Sequence, residues 1–507
     1  MKLIAYDLGT GGVKASLYDG RLNSLSGSFI EYKTYYPASN MHEQRPSEWW
    51  EAIRKCTKTL LEAGGTAREE VAGIALSGQS LVVIPIDRDL RPLVDKVPIW
   101  SDTRATKEVQ EFFGNVDETE WYLTTGNGFP APCYSLFKLM WYKKHYPELY
   151  AKTYKVLGSK DYINFMFTQA VFTDNSYASG TGAYDLIKGC MRDDYLSSAG
   201  ISPDIFPPIV PSHQIIGHVS AKAALETGLC EGTPVACGGV DNACMALGAV
   251  GPEEGKIYTS LGSSSWIPLN SSKPILDAKK RPYVFAHIQE SMYTSAFSIF
   301  SGGSSLRWIR DTICKDFASN GHPYDTISEL AEKVPVGSNG IIFNPSLAGG
   351  TSQDNSINIR GAFIGLHLGT TREDMIRASM EGIAMNLKLA IRSLTEHMTE
   401  VSDQILFCGG GSKSRFWMQM FSDVFGMDII KTNIDQDAAS LGAAAIIARA
   451  LGIWSDYRSI PSLHHIVYRC KPNPENTTKY NRLLKVFEHA SGMLAYFGDY
   501  MMSNRVE

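Results

Sequence analysis

A chain of 507 residues exceeds what one hydrophobic core normally supports, so two or more domains are expected. Hydrophobic and charged fractions of 44% and 20% are those of an ordinary globular protein, and a net charge of −5 without a basic block argues against nucleic acid or an anionic membrane as partner. No run is long enough to span a membrane, the N-terminus enters a strand pattern directly, and nine cysteines without a Cys-x-x-Cys pair read as buried free thiols, so the expected location is the cytoplasm.

The first element is a strand, Lys2 to Leu8, that runs into the turn Gly9-Thr10-Gly11-Gly12. Beyond it, apolar Val13, Ala15 and Leu17 alternate with polar Lys14, Ser16 and Tyr18, the period of a second strand. The turn therefore makes a hairpin, whereas a dinucleotide-binding fingerprint would open a helix there. A Walker-type loop is absent from the sequence. A helix is expected from an N-cap at Ser47 to Leu61, closed by Gly64-Gly65, with Trp49, Ile53, Cys56 and Leu60 on its core face. Val71 to Leu76 reads as a buried strand running into Ser77-Gly78-Gln79-Ser80, with Leu81 to Ile86 as its partner. Residues 232–242 read as a short apolar strand ending in a glycine turn beside Asp241, and the domain boundary is expected just after it, giving domains 1–247 and 248–507.

The second half opens on a relative of the first hairpin: Ile257 to Leu261, the turn Gly262-Ser263-Ser264, then a further strand. Thr371-Arg372-Glu373-Asp374 has the form of a capping box, starting a long helix with Ile376, Met380, Ile383, Leu387, Ile391 and Leu394 on one face. A strand from Gln404 to Cys408 meets Gly409-Gly410-Gly411-Ser412 and a helix through Phe425 that Gly426 ends. Ala438 to Ala445 is a small-residue helix face suited to close packing, and the last thirty residues form a polar-faced helical tail.

Glycine turns followed by hydroxyls suit a polyanion, because backbone N–H groups reach phosphate oxygens where no Cβ intrudes. One such turn in each half suggests a triphosphate gripped between two related domains. Gly9, Thr10, Gly11 and Gly12 would form one phosphate-binding turn, and Gly262, Ser263 and Ser264 the other. Lys14 could neutralise a phosphate oxygen, Asp7 is placed to bind Mg²⁺ through water, and Asp241 is the candidate general base. Each residue alone has a plainer reading: an Asp beside a turn caps backbone, a strand Lys is solvated, and glycines end elements everywhere. Their order along the chain is what favours phosphoryl transfer.

These segments resemble the FGGY family of carbohydrate kinases over essentially the whole chain. Residues 7–14 and 260–264 are similar to that family's two phosphate motifs, Phe407-Cys408-Gly409-Gly410-Gly411-Ser412 to its adenosine motif, and residues 361–366 with 374–382 to its C-terminal signature. The resemblance implies an α/β fold of two actin-like ATPase domains, ribonuclease H-like and of the hexokinase and Hsp70 type, with a cleft between them. It implies ATP and Mg²⁺ as cofactors, a small sugar as partner and, as in related kinases, a homodimer. Adenosine would lie on Gly409, Gly410, Gly411 and Ser412. Residues 43–50, 99–104 and 239–242 are similar to xylulose kinases, which implies Asp241 as catalytic base and Gln79, Ser80, Leu81, Trp100, Asp102 and Asn242 around the sugar. The implied reaction is D-xylulose to D-xylulose 5-phosphate. Ribulose, fuculose, erythritol, glycerol, gluconate and the autoinducer-2 precursor are the alternatives, and a non-catalytic actin-fold ATPase is the reading from another class. Two departures bear on the sugar: xylulose kinases carry a histidine where Leu81 stands, and a Gly-Glu-Arg-Thr-Pro loop where this chain reads Ala348-Gly349-Gly350-Thr351-Ser352.

Overall fold

Two glycine hairpins supply the central strands of two related sheets. The structure, a computed structural model, describes residues 1–128, 130–319 and 322–504. In the first lobe β1 (Lys2–Leu8), β2 (Gly12–Asp19) and β3 (Ser24–Glu31) form an antiparallel meander. Helix α1 (Pro46–Ala63) packs on it, and β4 (Val71–Gly78) then lies parallel to β1. Strands β5 (Ile215–His218) and β6 (Pro234–Ala236) extend the sheet, β6 parallel to β4 and β5 antiparallel to β6. The short β7 (Gly239–Val240) also pairs in parallel with β4 and leads directly into α2 (Asp241–Val250).

The second lobe repeats this plan. Antiparallel β8 (Ile257–Leu261), β9 (Ser265–Ser271), β10 (Tyr283–Ala286) and β11 (Tyr293–Ile299) lie on one side of the sheet. Helix α3 (Arg372–Thr395) follows, then β12 (Gln404–Cys408), α4 (Arg415–Phe425) and β13 (Asp428–Thr432). Helix α5 (Ala438–Ala450), the edge strand β14 (Ile466–Cys470) and α6 (Pro474–Ser503) complete it. The first sheet runs β5-β6-β4-β1-β2-β3 and the second β14-β13-β12-β8-β9-β11-β10. In each, a glycine hairpin supplies the central strand, a parallel strand pairs with its outer edge, and the loops after both open at one end.

Local sequence accounts for most of these elements. The capping box at α3 forms, with Thr371 Oγ1 accepting from Asp374 N at 3.2 Å and Asp374 Oδ2 from Thr371 N at 2.8 Å. Gly426 ends α4 in the left-handed conformation at φ 63°. Two expectations need correction. Helix α1 begins at Pro46 with Arg45 as N-cap, so Ser47 lies inside its first turn and caps nothing; proline's fixed φ suits the first helical position. Residues 81–86 are not the partner of β4, whose edges are taken by β1 on one side and by β6 and β7 on the other. Leu81, at φ 61°, turns the chain away, and Ile84–Ile86 pairs instead with Lys155–Leu157.

The small-residue helix α5 crosses α2 and also covers the first sheet, its Leu441, Ile446 and Ile447 sharing a core with Leu3, Ala5 and Ala75. The approach is close enough to require glycine. A Cβ on Gly442 would lie 2.0 Å from the Cys244 carbonyl oxygen, and one on Gly248 would lie 1.8 Å from that of Ala438. The nine cysteines are all free, but Cys190 is exposed and Cys230 half-buried, so only seven fit the expectation of buried thiols. Among the described residues no helix is long and apolar enough to cross a membrane.

Candidate active site

The strand register brings the two acids to the same end of the first sheet. Asp7 of β1 pairs with Ser77 of β4, which pairs with Gly239 of β7; one step on, Leu8, Gly78 and Val240 form the next row. Asp241 follows immediately. Rather than ending a strand, it is the first residue of α2, where the helix N-terminus favours a carboxylate. Gly238 permits the turn before it: at φ 75°, it passes so close to Leu76 that a Cβ would lie 2.1 Å from that residue's carbonyl oxygen.

Both acids face a cavity of about 530 Å³ between the lobes. Its lining includes Asp7, Gly9, Thr10, Ser80, Leu81, Trp100, Asp241 and Asn242 from the first lobe and Ser260, Ser264 and Trp266 from the second. The two hairpin turns therefore open onto one space. Within the first, Gly9 N donates to Gly12 O at 3.0 Å, and Trp100 Nε1 donates to Thr10 Oγ1 at 2.8 Å. Gln44 Nε2 holds the Thr10 carbonyl at 2.7 Å. In the second, Gly262 N donates to Ser264 O at 3.0 Å, while the Gly262 and Ser263 carbonyls accept from Gly303 N and Ser304 N at 2.9 Å each.

Asp7 Oδ1 accepts from Ser77 Oγ at 2.8 Å. Burial raises the Asp7 carboxyl above its ordinary range, opposed by that hydroxyl and by the charge of Lys14. Asp241 Oδ1 accepts from the backbone N–H of Asn242 at 2.8 Å. Burial, and then the like charge of Asp7, push Asp241 up to about 7. Asn242 Oδ1 is buried without a protein partner, the state expected of a group that meets a substrate hydroxyl. Two carboxylates share a cavity whose described lining contains no Lys, Arg or His, a charge arrangement that suits a hydrated divalent cation beside Asp7.

Other expected site residues lie elsewhere. Lys14 is ion-paired with Asp437, so its charge is already matched within the protein. Asp102, fully buried, accepts from His42 N at 2.7 Å and from Arg104 at 2.7–3.1 Å; it braces the loop that carries Trp100 and does not reach the cavity. Gln79 is also fully buried, donating to Gln44 Oε1 at 2.8 Å behind the first turn. Gly11, Gly12, Gly262 and Ser263 belong to the turns without lining the cavity; Gly11 is exposed and Gly12 packs under Phe29. Ser263 Oγ accepts from Arg307 at 2.9 Å. Gly409, Gly410, Gly411 and Ser412 form a turn over Leu261, next to the second hairpin. A Cβ on Gly411 would lie 2.3 Å from a Leu261 methyl, while Gly410 faces open space. Ser412 is buried, donating to Gly409 O at 2.7 Å and accepting from Lys431 at 2.9 Å, so its side chain serves the turn.

Sequence reasoning missed the aromatic wall from the second lobe. Tyr283 and Phe285, two apart on β10, stack with centroids 6.4 Å apart, and Trp266 lies 5.8 Å from Tyr283. Their alternation marked a strand with one aromatic face, but nothing local told which space that face lines.

Residues 2–248 match the FGGY family of carbohydrate kinases, N-terminal domain, and residues 257–451 its C-terminal domain. The chain is 31% identical to the xylulose kinase of Bacillus subtilis (strain 168) over 497 residues, covering 96% of each. It is 29% identical to the gluconokinase of the same organism over 501 residues, covering 97% of this chain and 96% of that one. The crystal structure of ligand-bound xylulose kinase from Lactobacillus acidophilus superposes with a TM-score of 0.90 at 24% identity, covering 97% and 98% of the two chains, and shares the two-domain actin-like ATPase fold. The chain belongs to the FGGY family of carbohydrate kinases and is a sugar kinase with ATP as its phosphate donor.

Proposed function

We propose that this kinase phosphorylates a primary hydroxyl of a small open-chain ketose, with D-xylulose to D-xylulose 5-phosphate as the reference reaction and Asp241 as the general base. The observation that carries the reading is the Asp241 carboxyl, held at a helix start on the cavity wall and poised near neutrality by burial and by Asp7. Because Oδ1 accepts the Asn242 N–H, Oδ2 is left for the substrate hydroxyl. As that hydroxyl oxygen bonds to the γ-phosphorus, its proton passes to Asp241 and the bond from phosphorus to the β,γ-bridging oxygen breaks, leaving ADP.

The remaining residues position and shield. Asn242 Oδ1 orients a second sugar hydroxyl, and the turns at Gly9-Thr10 and Gly262-Ser264 offer backbone N–H groups to the phosphates. Asp7 would hold Mg²⁺, which when bound would supply charge neutralisation for the phosphates. Closure of the lobes excludes water from the cavity.

A coupled assay of ADP release over ketoses, polyols and aldonates tests the reading. Release that depends on D-xylulose, with a pentulose 5-phosphate identified by mass and NMR, supports it. Release that ignores every sugar would instead support a non-catalytic actin-fold ATPase.

A further inference from the structure

A cluster of charge lies buried behind Asp241 and outside the cavity. Lys160 and Asp161 belong to the helix Ser159–Thr168, and Asp174 caps the short helix Asn175–Ala178; all three are buried and none lines the cavity. The three N–H bonds of the Lys160 ammonium have three acceptors: Asp161 Oδ1 at 2.5 Å, Asp174 Oδ1 at 3.0 Å and the Cys237 carbonyl at 3.4 Å. Asp174 Oδ2 accepts from Ser176 Oγ at 2.5 Å and from Ser212 Oγ at 2.8 Å.

These contacts converge on residues 237–240, the segment that delivers Asp241. Only Gly239 and Val240 of that segment pair with β4, so its other backbone groups need other partners. Ser212 O accepts from Gly238 N at 2.9 Å, and Asn164 Nδ2 joins Lys160 on Cys237 O at 2.7 Å. Ser176 Oγ accepts from Val240 N at 2.9 Å. The Ser176 hydroxyl has one proton and gives it to Asp174, so its lone pairs are aimed at the N–H one residue before Asp241. Buried charges are a costly filling for a core, and apolar side chains of like volume would pack it as well. Carbon cannot fix the direction of a hydroxyl proton.

We propose that Asp174, held by Lys160, is a positioning residue for phosphoryl transfer: through the Ser176 hydroxyl it fixes the Val240 backbone, and with it the approach of Asp241 to the sugar hydroxyl. The inference rests on Asp241 as general base and adds no step to the reaction.

Asp174→Asn keeps the shape and reverses the polarity. With its carbonyl retained by Lys160, its Nδ2 faces Ser176 and turns that hydroxyl's proton onto the Val240 N–H. Ser176→Ala removes the relay with less disturbance. The full-length variants are assayed with Mg·ATP and the sugar of the ketose, polyol and aldonate panel that wild type turns over fastest. In each, kcat should fall roughly ten- to hundredfold while KM for ATP stays within about threefold. Because both act through one hydroxyl, the double variant should lie within about twofold of Ser176→Ala. Hydrogen exchange in Ser176→Ala should quicken over residues 237–241 and not across the lobe. Wild-type kcat in Ser176→Ala, losses that multiply in the double variant, or exchange quickened throughout the lobe overturns the inference and leaves the general base intact. Ser176→Ala decides alone if Asp174→Asn does not fold. Near-normal turnover in Asp241→Asn, or no turnover of any sugar by wild type, overturns the functional reading and this inference together.

Discussion

Asp7, the penultimate residue of β1, and Asp241, the residue after β7, lie on either side of β4 and two register steps apart, and the charge of Asp7 raises the Asp241 carboxyl. Asp241 lies second in this pair in its consequences: burial and the Asp7 charge hold it near pH 7, where it can accept a proton and return it. Four predictions follow the acids and the helix that begins at Asp241.

Asp241→Asn removes the proton acceptor and preserves shape. The expected loss in kcat is about 10²- to 10⁴-fold, with ATP affinity measured by calorimetry changed less than a few fold. Near-normal turnover would remove Asp241 from the mechanism.

The pH profile should carry an acid limb. With Asp241 protonated below about 7, kcat/KM for the sugar declines as pH falls through that value. Since the Asp7 charge raises Asp241, Asp7→Asn moves the limb to lower pH, whatever it does to the maximum. A limb that stays in place would assign it to another group.

Stability should respond with the opposite sign from that of an ordinary paired aspartate. Asp241 has its carboxyl raised from 3.8 to about 7 on folding, so the folded state binds the extra proton between those values. Its favourable contribution is complete below 3.8 and is lost as pH rises through 7. Asp241→Asn therefore raises Tm at pH 8 and leaves it nearly unchanged at pH 4, as calorimetry at the two values would show.

Gly442→Ala tests the crossing of α5 on α2, because the new methyl would need the Cys244 carbonyl to move. A cost of about 1–3 kcal/mol in urea unfolding is expected, with a fall in kcat because α2 starts at Asp241. An unchanged midpoint would show that the helices part freely.

Much of the fold was legible in local pattern. Alternation after Gly12 marked the hairpin, Thr371 and Asp374 marked a helix start, and Gln404 to Cys408 appears as the strand expected. These are signals among residues a few positions apart, where side-chain period and capping act directly. The pairing of Ile84–Ile86 with Lys155–Leu157 was not legible, because strand partners are chosen over long separations and Leu81 alone redirects the chain. Asp102 was expected near the sugar by resemblance, and only the fold shows that its carboxylate accepts from His42 N, sixty residues away, and from Arg104.

The amino-acid sequence by itself determined the two hairpins, the capping box of α3 and the residue types available for phosphoryl transfer, since these depend on short-range backbone preference and on chemistry carried by single side chains. Tertiary packing alone decided which of those side chains come together: Asp7 and Asp241 on one cavity wall, and Lys14 with Asp437. Burial and the proximity of charges arise only when distant segments are brought together, and they set the ionisation of Asp241.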